Sequence, residues 1–213
     1  MDQAKFKEIY DNNLWLSSES KSGTGSTLEA TKEIRPWLLD VCSKYKINSL
    51  LDYGCGDFNW MKNLSATFNK YVGMEIVDAL VVENREKYGS FSNVVFSSST
   101  PEMFDIYLAQ PFDAILVRDV LVHFSDQHVT EFLEKVYKSG IKYMFATNFL
   151  GKGNNNNIET GWWRDMCLMN PPFNLVNPIE TVVCYSEPFS VSDAQGTRFD
   201  KTLAMWEIKS MYK

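Results

Sequence analysis

Residues 49–60 read SLLDYGCGDFNW. The first five have the character of a buried strand, and they run straight into a glycine turn at Gly54-Cys55-Gly56. Chains turn in this way around nucleotide cofactors of two classes, dinucleotides and S-adenosylmethionine (SAM). The dinucleotide fingerprint needs a third glycine, which lets the following helix pack close to the strand. Here the frame continues Asp57, Phe58, Asn59, and the third glycine is missing. Asp52 stands two residues before Gly54, and Asp57 directly follows Gly56. Two carboxylates flanking the turn repel a pyrophosphate seeking a helix N-terminus. They suit a zwitterion that carries both an ammonium and a sulfonium, so D-x-G-x-G favours SAM.

The next strand reads YVGMEIVD over 71–78 and places Glu75 at its tip, 21 residues beyond Gly54 (75 − 54). A carboxylate there accepts both ribose hydroxyls, a role common to dinucleotide and SAM sites. The plainer alternative is a surface Glu at the start of the helix that follows.

Outward from these two stretches the chain alternates. Apolar, β-rich runs occur at 49–53, 70–76, 93–97, 112–118 and 141–147, and helical spacing fits 57–66, 78–88, 101–109 and 126–139. Strands alternating with helices predict βαβ units with right-handed crossovers and a parallel sheet. IETVVCYSEP (179–188) and KTLAMWEIKSM (201–211) then look like a closing antiparallel pair. The expected fold is α/β: one Rossmann-like, doubly wound sheet of about seven strands, mostly parallel, with an antiparallel hairpin at its end. Residues 1–46 form an N-terminal helical lid, 47–150 the cofactor core, and 151–213 a substrate segment with the closing strands, all in one domain. Within the lid, apolar spacing suggests a helix over 3–16. Ser26 and Glu29 have capping-box spacing ahead of a second helix, which Pro36 should kink or break.

LLDYGCGDFNWM, YVGMEIVD and FDAILVRDVLVHFSD (112–126) resemble the first, second and fourth strand motifs of class I SAM-dependent methyltransferases. The leading SGTGSTLEATKEIRPWL (22–38) together with CGDFNWM (55–61) resembles a narrower group of small bacterial methyltransferases, some of them from surface-polysaccharide gene clusters. The resemblance implies that Asp52, Gly54 and Gly56, with Cys55 and Asp57 in the same loop, hold the methionine moiety. It implies that Glu75 holds the ribose and that Ile76 packs on the adenine. The family often has an Asp after the third strand for the adenine amino group, but this chain reads VVFSSSTPEMF, so Ser98 or Ser99 is the candidate.

Methyl transfer from a sulfonium is an in-line displacement for which the protein supplies alignment, a dry pocket and, for a hydroxyl, a base. The carboxyl end of the fourth strand is the place for such groups. Asp119 is expected to line the methyl site, with a helix cap as its alternative. His123 has the pKa class of a base, with a pocket wall as its alternative. Arg118 is grouped with the cofactor residues, either paired to a carboxylate of the fold or reaching an anion. Trp163 and Arg164 are the candidates for acceptor recognition, by stacking and bidentate hydrogen bonding. His128 is expected to be solvated on a helix, and the Asn run at 154–157 to be a loop tip without chemistry. The acceptor implied is a small polar molecule methylated at O or N, of the sugar, nucleotide-sugar or surface-glycan precursor kind. The alternative is a non-catalytic SAM-binding partner subunit.

Composition narrows the field. A net charge of −6 disfavours nonspecific nucleic-acid binding. NPPF at 170–173 imitates a nucleic-acid amino-methylase motif but falls after the fifth strand and reads as a turn. Four scattered cysteines and two histidines show no metal-ligand spacing, and no metal is expected. With no apolar run of about 20 residues and no signal-like start, a cytoplasmic protein without membrane contact is expected, as monomer or homodimer.

Overall fold

The computed structural model of the chain describes residues 3–151, 155–184 and 200–212. Strand β1 (Ser49–Tyr53) pairs in parallel with β2 (Lys70–Glu75) on one side and β4 (Ala114–Val117) on the other. β3 (Val94–Ser98) adds to β2, and β5 (Tyr143–Leu150) to β4, again in parallel. β7 (Asp200–Glu207) runs antiparallel to β5, and β6 (Glu180–Val183) antiparallel to β7. The order is β3-β2-β1-β4-β5-β7-β6. It changes direction between β1 and β4, and that switch opens a crevice at the carboxyl ends of both strands. The sheet is Rossmann-like and mostly parallel, with the antiparallel closing pair expected from the sequence.

Strands buried on both faces read as continuous apolar runs, which is why these did. Leu51, Tyr53, Val72, Met74, Ile115 and Val117 pack with helices α4 (Pro101–Leu108) and α5 (Asp126–Lys138). Leu50, Tyr71, Leu116 and Phe145 pack on the other face with helices α2 (Ile34–Tyr45) and α3 (Asp78–Tyr88). α4 and α5 begin where their caps dictate: Thr100 accepts from the Met103 N–H beside Pro101, and Ser125 accepts from the His128 N–H. No helix among the described residues is long and apolar enough to cross a membrane.

The N-terminal region departs from expectation. Helix α1 is Gln3–Asp11, shorter than its apolar spacing suggested. Ser26 ends a 3-10 turn rather than capping a helix, and Glu29 pairs with Lys32. α2 starts only at Ile34, so Pro36 falls in its first turn, where a missing N–H breaks no helical bond. Residues 57–66 contain no α-helix but two 3-10 turns, Met61–Asn63 and Ser65–Thr67. Phe58 is fully buried in a left-handed conformation (φ 59°), and its ring packs on Tyr71 and Phe96, which favours a tight descent over a regular helix.

Candidate active site

The glycine turn is cut to size on two sides. Gly54 has φ 84°, and a Cβ there would lie 2.3 Å from Val120 Cγ2 in the loop after β4. Gly56 has φ 58°, and its Cβ would lie 2.1 Å from Ser22 Oγ of the N-terminal segment. Only glycine satisfies both the backbone angle and the approach. The N–H groups of Gly54 and Cys55 both donate to the Met74 carbonyl, pinning the turn to β2.

Against this turn lies a small cavity of about 70 Å³. Glu75 at the end of β2, Ile76 just beyond it and Ser99 after β3 line one part of it, and Asp119, Val120 and His123 after β4 line another. Tyr53, Phe6 of α1 and Phe124 complete an apolar wall. A second hollow, between α4 and α5, shares Tyr53, Ser99 and Phe124 with it.

The carboxylates of the site have different environments. Glu75 accepts from the N–H groups of Gly56 (3.0 Å), Ile76 (2.8 Å) and Val77 (3.0 Å). Burial raises its pKa, and those three bonds oppose the rise. Asp52 is buried behind the turn with the Tyr71 hydroxyl on one oxygen, and burial pushes its pKa up to about 7. Asp119 is a non-glycine residue in the left-handed region (φ 57°), held there by the Thr147 hydroxyl at 2.9 Å and Lys201 Nζ at 2.8 Å. Burial would raise its pKa, but Arg118, Lys201 and Thr147 outweigh that and hold it well below the usual carboxylate range.

His123 lies in a 3-10 turn, Leu121–His123. Its Nδ1 is 2.9 Å from the Trp162 carbonyl, which can only accept. The proton therefore sits on Nδ1, and Nε2 is the nitrogen left to take one. Burial lowers the pKa below 6.5, with the carbonyl and Asp119 opposing, so the ring is neutral at pH 7. Phe6 and Trp15 pack against the imidazole.

Several expected site residues are placed otherwise. Asp57 does not face the cavity; it accepts from Ser20 Oγ, the Lys21 N–H and Ser22 Oγ, and so straps residues 20–22 over the turn. The Cys55 thiol is buried in the core against Gly73, so only its backbone belongs to the turn. Ser98 donates to Asp78, leaving Ser99 as the serine at the cavity. Arg118 donates to the Gly25 carbonyl at 2.8 Å and stacks over Trp60, tying down the same N-terminal segment. Ser20, Ser22, Thr147 and Lys201 were not singled out for these roles, because a lone Ser, Thr or Lys carries no spacing signal.

Arg164 is the largest correction. It is buried, pairs with Asp126, and donates to the carbonyls of Asn156 (2.7 Å) and Phe124 (2.9 Å). Those bonds tie the loop after β5 to the start of α5 and commit both Nη groups of Arg164 to the fold. Arg164→Met is expected to lower unfolding free energy in urea by about 2 kcal/mol, since a partly exposed carboxylate and two carbonyls lose a buried charged donor. Unchanged stability together with a raised acceptor KM would return Arg164 to recognition. Trp163, half exposed and edge-on to Phe149, and Trp162, more exposed still, remain at the surface beside His123. The Asn run is structural where it is described: Asn155 holds the 167–171 turn, and Asn157 accepts from the Asp126 N–H. His128 is not solvated on its helix but bonds Thr160 Oγ1 at 2.6 Å.

The residues present fit an adenosyl cofactor: a glycine turn with no room for a Cβ, a carboxylate at the tip of β2, and an apolar wall. Residues 24–177 match the methyltransferase-domain family. The chain belongs to that family. Its fold is that of methyltransferases solved with SAH bound. A curated relative, phosphoethanolamine N-methyltransferase of Triticum aestivum, is 22% identical over 137 residues, which is 64% of this chain. The chain spans about a quarter of that relative's length (27%). Among solved structures, the N-methyltransferase NodS from Bradyrhizobium japonicum WM9 in complex with S-adenosyl-L-homocysteine (SAH) superposes with a TM-score of 0.63 at 14% identity, covering 95% of this chain and 98% of that one. Magnesium protoporphyrin IX methyltransferase from Synechocystis PCC 6803 with bound SAH gives 0.60 at 11% identity, over 96% and 99%. At such identities the likeness is one of fold.

Proposed function

We propose that this methyltransferase alkylates a nitrogen or oxygen of a small polar acceptor, with His123 as the base. The observation that carries the reading is one cavity that brings Glu75 and His123 together on either side of the Gly54 turn. Glu75 holds the ribose, the backbone of 54–56 with Asp52 beneath it receives the methionine end, and Ile76 with Ser99 flanks the adenine. When bound, SAM supplies an electrophilic methyl on a leaving group that is already activated. The chain's own task is alignment and the exclusion of water. Tyr53, Val120, Phe124 and Phe6 give the cavity an apolar wall, and Trp163, half exposed, is the candidate for stacking on an acceptor.

His123 suits the base role because its burial keeps it neutral and its Nδ1 bond fixes which nitrogen is free. Asp119 does not suit it: both its oxygens are engaged, and its proton affinity is too low. Its role is to shape the methyl site. A nitrogen acceptor is the first to test, since the wheat relative and NodS are named as N-methyltransferases. Sugars and nucleotide-sugars, suggested by the resemblance of residues 22–38, come second.

His123→Ala is expected to lower kcat at saturating SAM by roughly 10²-fold or more while SAH affinity holds. In the wild type, kcat should fall at acid pH with a limb below 6.5, because only the neutral ring accepts a proton. That limb should vanish in the variant. A loss confined to SAM affinity would make His123 a pocket wall.

A further inference from the structure

We propose that the methyl acceptor is an anion whose phosphate or carboxylate group is received at the ammonium of Lys201, beside Asp119. The proposal rests on the methyltransferase reading of the cavity and names the acceptor's charge. Arg118 Nη1 lies 3.2 Å and Lys201 Nζ 2.8 Å from the same oxygen of Asp119, Oδ2. The other oxygen takes the Thr147 hydroxyl. One carboxylate thus serves two cations; among the described residues no second carboxylate is ion-paired to them, and Asp52, within electrostatic reach of Arg118, is itself pushed toward its neutral form by burial. An excess positive charge remains where the Arg118 side chain is 5% exposed and that of Lys201 18%.

Burying a charge without a counter-charge is unfavourable, and a ligand that supplies the missing charge removes that penalty. A second sign of incomplete pairing is the Arg118 Nε, buried without a partner among the described residues. Of the two cations, Arg118 is closed off by the Gly25 carbonyl and Trp60, whereas Lys201 keeps an exposed edge. An ammonium has three donors, and Asp119 occupies one. Asp119 lines the cavity together with His123, and Lys201, outside that lining, bonds Asp119 and acts electrostatically on His123, so an anion on Lys201 would stand next to the acceptor end of the site. The whole chain carries −6, so an anion is drawn here by the local field and not by the net charge.

The test is calorimetry on wild-type protein, Lys201→Met and Lys201→Arg. Each is titrated first with SAH and 5′-methylthioadenosine. The SAH-loaded proteins are then titrated with inorganic phosphate, acetate, phosphoethanolamine and ethanolamine. The expected result is near-equal SAH affinity in all three proteins, which also reports folding. Phosphate-bearing or carboxylate probes should bind wild type and Lys201→Arg, and bind Lys201→Met about 10- to 100-fold more weakly. Ethanolamine should not bind. The comparison of phosphate with acetate says which anion is preferred. Equal binding of the anions to Lys201→Met overturns the proposal, and so does their failure to bind wild type at millimolar concentration. If Lys201→Met loses SAH but not 5′-methylthioadenosine, Lys201 serves the cofactor's carboxylate and the proposal is also overturned. Failure of wild type to bind SAH at all would strike the cofactor reading instead, and the phosphate titration of unloaded protein would still report on Lys201.

Discussion

Glu75→Ala is expected to weaken SAH binding by about 100-fold or more, the loss of two hydroxyl bonds to a carboxylate at roughly 1.5–3 kcal/mol each. The same substitution removes the acceptor of the Gly56, Ile76 and Val77 N–H groups, so the free protein should also lose stability. Glu75→Gln separates the two effects. Its amide oxygen can still accept from part of the N–H set, so most of the stability should return while a bidentate ribose contact stays broken. Calorimetry for affinity and urea unfolding for stability, run on both variants, provide the check. If Glu75→Gln bound SAH as tightly as wild type, the ribose would have to be held elsewhere.

Asp52→Asn should move stability and binding in opposite directions. In the native protein burial raises the Asp52 pKa to about 7, against an ordinary 3.8. Between those two values the folded state holds a proton that the unfolded state has lost, so stability falls as pH rises through that window and levels off above it. An amide has no such dependence and can still accept the Tyr71 hydroxyl. Free Asp52→Asn is therefore expected to be more stable than wild type above pH 7, by on the order of 3 kcal/mol, with the difference vanishing near pH 4. The cofactor's ammonium favours the ionised carboxylate, so the variant should bind SAH more weakly. In the wild type, binding near pH 6 should release a proton, visible as a buffer-dependent enthalpy. Equal stability of the two proteins at pH 8 would mean that Asp52 carries no such burden.

The two tests bear on the residues that the sequence made legible. Asp52, Gly54, Gly56 and Glu75 lie within 24 residues (75 − 52 + 1), on two adjacent strands whose spacing fixes where their tips meet. Local periodicity gave the helices α3, α4 and α5 for the same reason, since their caps and apolar faces are written within one stretch. The region 17–33 was not legible. Its shape depends on Asp57 and Glu19, which bond to side chains and N–H groups up to 40 residues away instead of to a helix of their own. Asp57 reads in sequence as a cofactor ligand because its position beside Gly56 is right. Its side chain is taken by the N-terminal strap.

Charge pairing is where sequence reading stops. Arg118 meets Gly25 across 93 residues, Lys201 meets Asp119 across 82, and Arg164 meets Asp126 across 38. A lone Lys or Arg has no periodicity, so nothing local says whether its partner is a ligand or the fold. The sequence by itself determined the sheet, the glycine turn and the acid at the tip of β2, because strand burial and a cramped turn leave few residue types allowed at each position. Only the tertiary structure decided which charges the fold itself engages: Asp57 and Arg164 hold loops, and Lys201 is brought to Asp119. A buried charge takes the partner that long-range packing brings within reach.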